Sequence, residues 1–250
     1  GSGIENLGTI SMTNSIVAKS AQGTNCLGAG IGGANNLTDD GTCGWEVNPS
    51  AILLGTLGNY GGASSTVPLL PGSAAIDATS ANCPATDQRG VTRSSPTCDI
   101  GAFESRGFTF SNLTGTPQSA GTYSAFATPL GLTVTANNAI EPVNDGRVTF
   151  TAPSSGASTN PATNSATITS GAVSQSVTSN GIAGGPYNVT ASASGVTAPA
   201  QFALTNNPPT IATTTSLVSS QNPSVFGQPV TFTATVSPTP TGGTVAFKDN

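Results

Sequence analysis

The amino-acid sequence predicts an all-β protein, and three observations carry that reading. The chain holds 31 Gly and 18 Pro in 250 residues, and only 7% of them are charged. Thr, Ser, Asn and Ala fill much of the remainder, a mixture that suits strands and tight turns and suits helices poorly. Apolar residues also fall in short period-2 runs, such as Leu130-Gly131-Leu132-Thr133-Val134-Thr135 and Gly146-Arg147-Val148-Thr149-Phe150-Thr151-Ala152, the spacing of a half-buried strand. Turn formers punctuate the runs at Asn137-Asn138, Asn144-Asp145-Gly146 and Gly184-Gly185-Pro186. Disorder is the competing reading. A net charge of only −5 and 36% hydrophobic residues argue against it.

Residues 4–18 read as two short strands marked by Leu7, Ile10, Met12, Ile16 and Val17, with a turn near Asn14-Ser15. Residues 20–49 read as loop. Gly28, Gly30, Gly32 and Gly33 lack the strand, helix and lysine context of a phosphate-binding loop. Asp39-Asp40-Gly41 reads as a turn, because a calcium loop would need a Glu that is missing. Trp45 is expected to pack on a neighbouring loop or to serve as a sugar-stacking platform. Ala51-Ile52-Leu53-Leu54 reads as one more strand.

Residues 68–104 organise the first part of the chain. This stretch holds four of the eleven acids, Asp77, Asp87, Asp99 and Glu104, and two of the six basic residues, Arg89 and Arg93. A network of structural ion pairs closing a domain is the favoured reading, with Arg89 or Arg93 pairing with one of those acids. A catalytic acid pair at Asp77 and Asp87, or a metal site, are the alternatives. Cys26, Cys43, Cys83 and Cys98 allow three disulfide connectivities. The sequence-local bridges Cys26–Cys43 and Cys83–Cys98 are the simplest, and free buried thiols are the alternative. Zinc is disfavoured, because the chain has no histidine and no Cys-x-x-Cys spacing.

The run Leu69-Leu70-Pro71-Gly72-Ser73-Ala74-Ala75-Ile76-Asp77, then Thr86-Asp87-Gln88-Arg89-Gly90, then Cys98-Asp99-Ile100-Gly101-Ala102-Phe103-Glu104 resembles the C-terminal signature of bacterial surface proteins of the choice-of-anchor Q kind. The resemblance implies that residues 1–105 are the terminal rungs and cap of a right-handed parallel β-helix. Ala74 and Thr79 depart from the usual Pro and Gly of the signature. No catalytic residue carries over.

Beyond residue 105 the texture changes. Six or seven short strands over about 100 residues read as a β-sandwich. Gly184-Gly185-Pro186-Tyr187-Asn188-Val189-Thr190-Ala191 and Pro199-Ala200-Gln201-Phe202-Ala203-Leu204-Thr205-Asn206 resemble the last two strands of bacterial Ig-like adhesin domains, which gives a domain at 106–207. Asn207-Pro208-Pro209-Thr210 is a stiff linker. Residues 208–250 resemble the first strands of a second such domain, incomplete here, so the natural protein is expected to continue. No signal peptide is visible, and the chain is expected to begin inside a domain.

These features bound the function. Six scattered basic residues make no phosphate-tracking patch, so nucleic acid is excluded as a partner. No apolar run reaches the length of a transmembrane helix. Without histidine there is no Ser-His-Asp or Cys-His arrangement, and Lys19 and Lys248 sit in bland surroundings. The sequence therefore predicts no catalytic, cofactor-binding or metal-binding residue. It predicts part of an extracellular or bacterial cell-surface protein, adhesive or structural. Expected partners are glycans, host or environmental proteins, or neighbouring copies. Two alternatives are a fragment of a β-helical polysaccharide lyase or glycoside hydrolase with its site upstream, and a subunit of a filament or surface layer.

Overall fold

The computed structural model describes residues 3–20, 23–45, 51–240 and 242–248. Among them the secondary structure is all β. Among the described residues no helix is long and apolar enough to cross a membrane. By contacts the chain divides into two compact units, Gly1–Asn207 and Pro208–Asn250.

The first unit opens with six short strands, β1 (Ile4–Asn6), β2 (Ile10–Thr13), β3 (Ile16–Val17), β4 (Cys26–Gly28), β5 (Ile31–Ala34) and β6 (Leu37–Thr38). They pair in parallel as β1–β4, β2–β5 and β3–β6, with Ile4 beside Cys26, Ile10 beside Ile31 and Ile16 beside Leu37. The offsets, 26 − 4 = 22 and 31 − 10 = 37 − 16 = 21 residues, describe two successive turns of one coil. Parallel pairing needs a long crossover, and here the remaining strands of each turn supply it.

Asparagines hold the corners. Asn14 and Asn35 lie one turn apart, both with left-handed φ, at 51° and 55°. This is a conformation that Asn tolerates better than most residues. Buried Asn36 ties the turns together: its Oδ1 accepts the Ser15 N–H and its Nδ2 donates to the Met12 carbonyl, at 2.9 and 2.8 Å.

Three expectations for this region need correction. Residues 26–38 are not loop, because they form the second turn. Leu7 belongs to no strand and is 98% exposed, at the bend between β1 and β2. Ala51–Leu54 forms no strand, only a single bridge from Leu54 to Leu69, although Ile52 is buried.

The glycines explain the first error. Gly33 sits in β5 at φ +129°, where a Cβ would collide with the Met12 carbonyl oxygen of the adjacent strand. Gly33→Ala is therefore expected to break the β2–β5 pairing, a strain of about 1–3 kcal/mol or more. Loss of amide protection at Asn14, whose N–H donates to the Ala34 carbonyl, would report it. Unchanged protection would contradict the register.

Eight strands follow, one or two more than expected: β7 (Phe108–Thr114), β8 (Gln118–Gly121), β9 (Leu130–Ala136), β10 (Arg147–Thr151), β11 (Thr163–Thr167), β12 (Ala172–Gln175), β13 (Gly184–Ser192) and β14 (Ala200–Asn207). They make a five-stranded sheet, β11-β10-β13-β14-β8, and a three-stranded sheet, β12-β9-β7. All pairs are antiparallel except β14–β8.

The period-2 pattern sets the packing of this two-sheet block. Val148 and Phe150, Val189 and Ala191, and Phe202 and Leu204 from the larger sheet share one buried core with Leu130, Leu132, Val134 and Val173 from the smaller. Gly184-Gly185-Pro186 is not a turn. It lies inside β13, where the register slips between Gly184 and Tyr187 as at a bulge.

The core does not break at residue 105. Leu69, Ala75, Ile76 and Ile100 of the closing segment belong to the same buried cluster as the two sheets. Backbone bonds reinforce the contact: Gly72 N–H donates to the Ser194 carbonyl and Arg147 N–H to the Pro71 carbonyl, at 3.1 and 2.9 Å.

The second unit holds one antiparallel pair, β15 (Thr214–Ser219) and β16 (Phe232–Ser237). The register aligns Leu217 with Ala234, Thr215 with Val236 and Ser219 with Phe232, so one face is apolar and the other is mostly Ser and Thr. That apolar face is uncovered, with Leu217 59% and Phe232 57% exposed. No strand forms over the described residues 243–248. A lone two-stranded sheet is marginal in water. Amides of β15 and β16 in the isolated chain are therefore expected to exchange far faster than those of β13 and β14. Strong, concentration-independent protection from Phe232 to Val236 would contradict this.

Candidate functional site

Asp87, Arg89, Arg93, Asp99 and Glu104 of the closing segment converge into a buried cluster. On its tight turn, Thr86 bridges Thr92 around Gly90, which adopts φ +82°. Asp87 folds over its own turn. Its Oδ1 accepts the Arg89 and Val91 N–H groups at 2.8 and 3.0 Å. Its Oδ2 accepts the Glu104 N–H at 2.9 Å and Arg89 Nε at 2.8 Å, with Arg89 Nη2 at 2.7 Å.

Arg89 is the hub. It donates from Nη2 to the Glu104 carbonyl at 2.6 Å, and its guanidinium lies 3.5 Å from the centroid of the Phe103 ring. Tyr60 closes the far side, edge-on to Phe103 at 6.0 Å. Burial opposes the Asp87 charge, but the donors from Glu104, Arg89 and Val91 outweigh it and hold its carboxyl below the usual range.

The second pair is Arg93 and Glu104, at 2.8 Å. Glu104 is fully buried and also accepts the Ser94 and Asp99 N–H groups, at 2.7 and 3.0 Å. Arg93 uses its remaining donors on the Asp99 and Gly101 carbonyls, while its Nε has no hydrogen-bond partner.

Asp77 and Asp99 behave differently from the expected ion pairs. Neither forms a salt bridge among the described residues. Asp99 is 1% exposed and accepts the Asp77 N–H on Oδ1 and the Ser105 N–H on Oδ2, at 2.8 and 2.6 Å. Backbone donors thus occupy both of its oxygens. Burial pushes its carboxyl up to about 7 against those two bonds, and the nearby Glu104 and Asp77 charges push the same way. Asp77 itself is exposed, at φ 52°, and accepts only a 3.4 Å bond from Thr97 Oγ1.

Sequence reasoning missed Glu141 and Ser105. Glu141 reaches back from the loop between β9 and β10, 5% exposed, to accept the Ser105 hydroxyl at 3.1 Å and the Arg106 N–H at 3.1–3.2 Å. Burial raises its carboxyl above the usual range, against the Arg106 and Ser105 donors. Its signal in the sequence is rarity: in a chain of eleven acids, each one is a candidate structural group.

The disulfides are Cys26–Cys43 and Cys83–Cys98, with Cα separations of 4.9 and 6.1 Å. The first ties β4 to the Asp39–Asp40 turn. There Asp40, although exposed, is held at about 2: desolvation opposes its charge, and the Thr42 and Asn25 N–H groups and the Thr42 and Thr38 hydroxyls overcome it. Trp45 is half-buried beside this loop, and its indole N–H has no partner. Lys19 Nζ donates to the Leu54 carbonyl at 3.1 Å.

Asp87 and Glu104 spend their oxygens on main-chain N–H groups and arginines, which leaves little for a reacting proton. Among the described residues no group of three or more Asp, Glu or Cys is placed to hold a metal ion. A cavity of about 580 Å³ lies between β2, β3, residues 54–67 and the closing segment, and among the described residues no ionisable side chain lines it. No family model matches the chain, and the searches of curated proteins and of solved structures return no match.

Proposed function

We propose that the chain is part of a large bacterial cell-surface or secreted protein whose role is adhesive or structural. In this reading residues 1–105 are the closing rungs and cap of a right-handed parallel β-helix of the choice-of-anchor Q type. Residues 106–207 are an Ig-like domain, and residues 208–250 are the opening strands of another.

The observation that carries the reading is the parallel coil of β1 to β6 with its repeat of 21–22 residues. Stacked repeats of this kind are quasi-one-dimensional and need a polar end to stay soluble. Here the closing segment covers the last turn instead, packing Leu69, Ala75, Ile76 and Ile100 into the core of the two-sheet block. The two disulfides fit an oxidising compartment.

The charge pattern supports the partner class. Arg89 and Arg93 are already committed to buried pairs, which leaves few cations for a polyanion. Neutral glycans, proteins or neighbouring copies are the partners this surface fits. A fragment of a polysaccharide-cleaving enzyme is the competing reading, and a filament or surface-layer subunit the next.

Arrays of neutral and acidic glycans and of matrix proteins, probed with the intact natural protein, test the proposal when scored in parallel for released reducing ends. Retention without release is expected. Release of reducing ends from any arrayed polysaccharide would replace the adhesive reading with the enzymatic one.

A further inference from the structure

The cavity beside β2 and β3 has walls of mixed chemistry. Its volume of about 580 Å³ falls within the roughly 300–1,000 Å³ of small-molecule sites. Leu54, Leu57 and Val67 contribute apolar lining, and Asn14, Thr66 and Gln88 contribute polar but uncharged lining. Leu57, 69% exposed, and the exposed Gln88 leave it open to solvent.

The polar lining is unfinished. Among the described residues four buried side-chain nitrogen or oxygen atoms have no hydrogen-bond partner, and two of them, Asn14 Oδ1 and Thr66 Oγ1, belong to residues that line this cavity. Turning the Asn14 amide over would not mend this. Its Nδ2 donates to the Ala81 and Asn82 carbonyls at 2.9 and 3.0 Å, so Oδ1 is left as an acceptor. Thr66 is 2% exposed, and its backbone is fixed by two bonds exchanged with Gly58, at 2.9 and 3.0 Å. Buried polar atoms without partners are destabilising, and each calls for an explanation.

We propose that this cavity is a binding site for one neutral sugar ring, an inference that rests on the adhesive reading and names its ligand class. The lining selects the chemistry. An ionic ligand would enter without a counter-charge. A purely apolar ligand would leave Asn14 Oδ1 and Thr66 Oγ1 unpartnered. A sugar ring carries hydroxyls that donate to the Asn14 oxygen and either donate to or accept from the Thr66 hydroxyl. Its C–H faces pack on Leu54, Leu57 and Val67.

Amide NMR of the full chain tests this, with the methyl glycosides of glucose, galactose, mannose and N-acetylglucosamine as probes and that of glucuronate as the charged control. At least one neutral glycoside should shift the Ser15, Thr66 and Gly101 amides, and glucuronate should not. Thr66→Val keeps the side-chain shape and removes the hydroxyl. It should weaken binding about five- to tenfold. The melting temperature should hold or rise, because that hydroxyl has no partner in the free chain. A lowered melting temperature with unchanged affinity would mean that water satisfies the hydroxyl, and would overturn the proposal. Shifts confined to other surfaces, or none with any neutral glycoside at millimolar concentration, would overturn it as well. The shift map of the unmodified chain decides if Thr66→Val does not fold. Retention on neutral-glycan arrays that Thr66→Val leaves unchanged would remove this site and leave the adhesive reading standing. Release of reducing ends, with the glycoside shifts still at Thr66, would remove the adhesive reading and leave the site.

Discussion

Arg89→Ala is expected to destabilise residues 1–207 by about 3–5 kcal/mol, the cost of stranding a buried charge. A unit of this size would then lose on the order of 10 °C in melting temperature. The cost lies in what the deletion leaves behind. Asp87 keeps three N–H donors but loses its counter-charge at 2.7 Å. The Glu104 carbonyl loses its Nη2 donor, and the face of Phe103 loses the guanidinium. Asp87 should respond in turn, its lowered carboxyl rising toward the ordinary value. Adding Asp87→Leu to Arg89→Ala should not rescue the loss, because the Arg89, Val91 and Glu104 N–H groups would then lose their acceptor. A shift of under a degree for Arg89→Ala would mean that solvent reaches the pair.

Phe202→Ala is expected to cost a similar amount, about 3–5 kcal/mol. Phe202 is fully buried on β14, with its ring tilted against Phe150 at 5.9 Å. No other large side chain on the strand can fill the gap, because the neighbouring inward positions, Ala200 and Leu204, are already packed in the same cluster. Denaturant midpoints of the full chain measure the loss. A change below about 1 kcal/mol would mean that the two sheets do not close on a shared core.

Much of the closing segment was legible because the chain is so poor in charge. With few ions available, Asp87, Arg89, Arg93 and Glu104 stood out, and local spacing made both disulfides the simplest pairing. Asp77 and Asp99 were harder to assign, because backbone N–H groups compete with arginines for carboxylates and residue type does not decide the winner. Glu141 was invisible for a different reason: its partner Ser105 lies 36 residues away, and only the folded loop between β9 and β10 brings them together. The second turn of the coil was misread because β5 needs glycine where the carbonyl of the neighbouring strand leaves no room for a Cβ. Composition alone assigns such a stretch to loop. Gly184-Gly185-Pro186 misled in the same way, since a bulge and a turn draw on the same residues.

The parallel coil, the closing segment and the two-sheet block are expected to fold as one body, with the closing segment as the link and its buried ion pairs holding that segment together. Native-state hydrogen exchange of the full chain, with and without Arg89→Ala, tests it most directly. In the unmodified chain the Ile10, Asn14 and Leu37 amides, which donate to the carbonyls of Gly30, Ala34 and Ser15 between turns, should be protected. Arg89→Ala should lower their protection together with that of Thr79 and Cys98 in the closing segment. Unprotected coil amides beside a well-protected β13–β14 pair, or coil protection indifferent to Arg89→Ala, would contradict the claim.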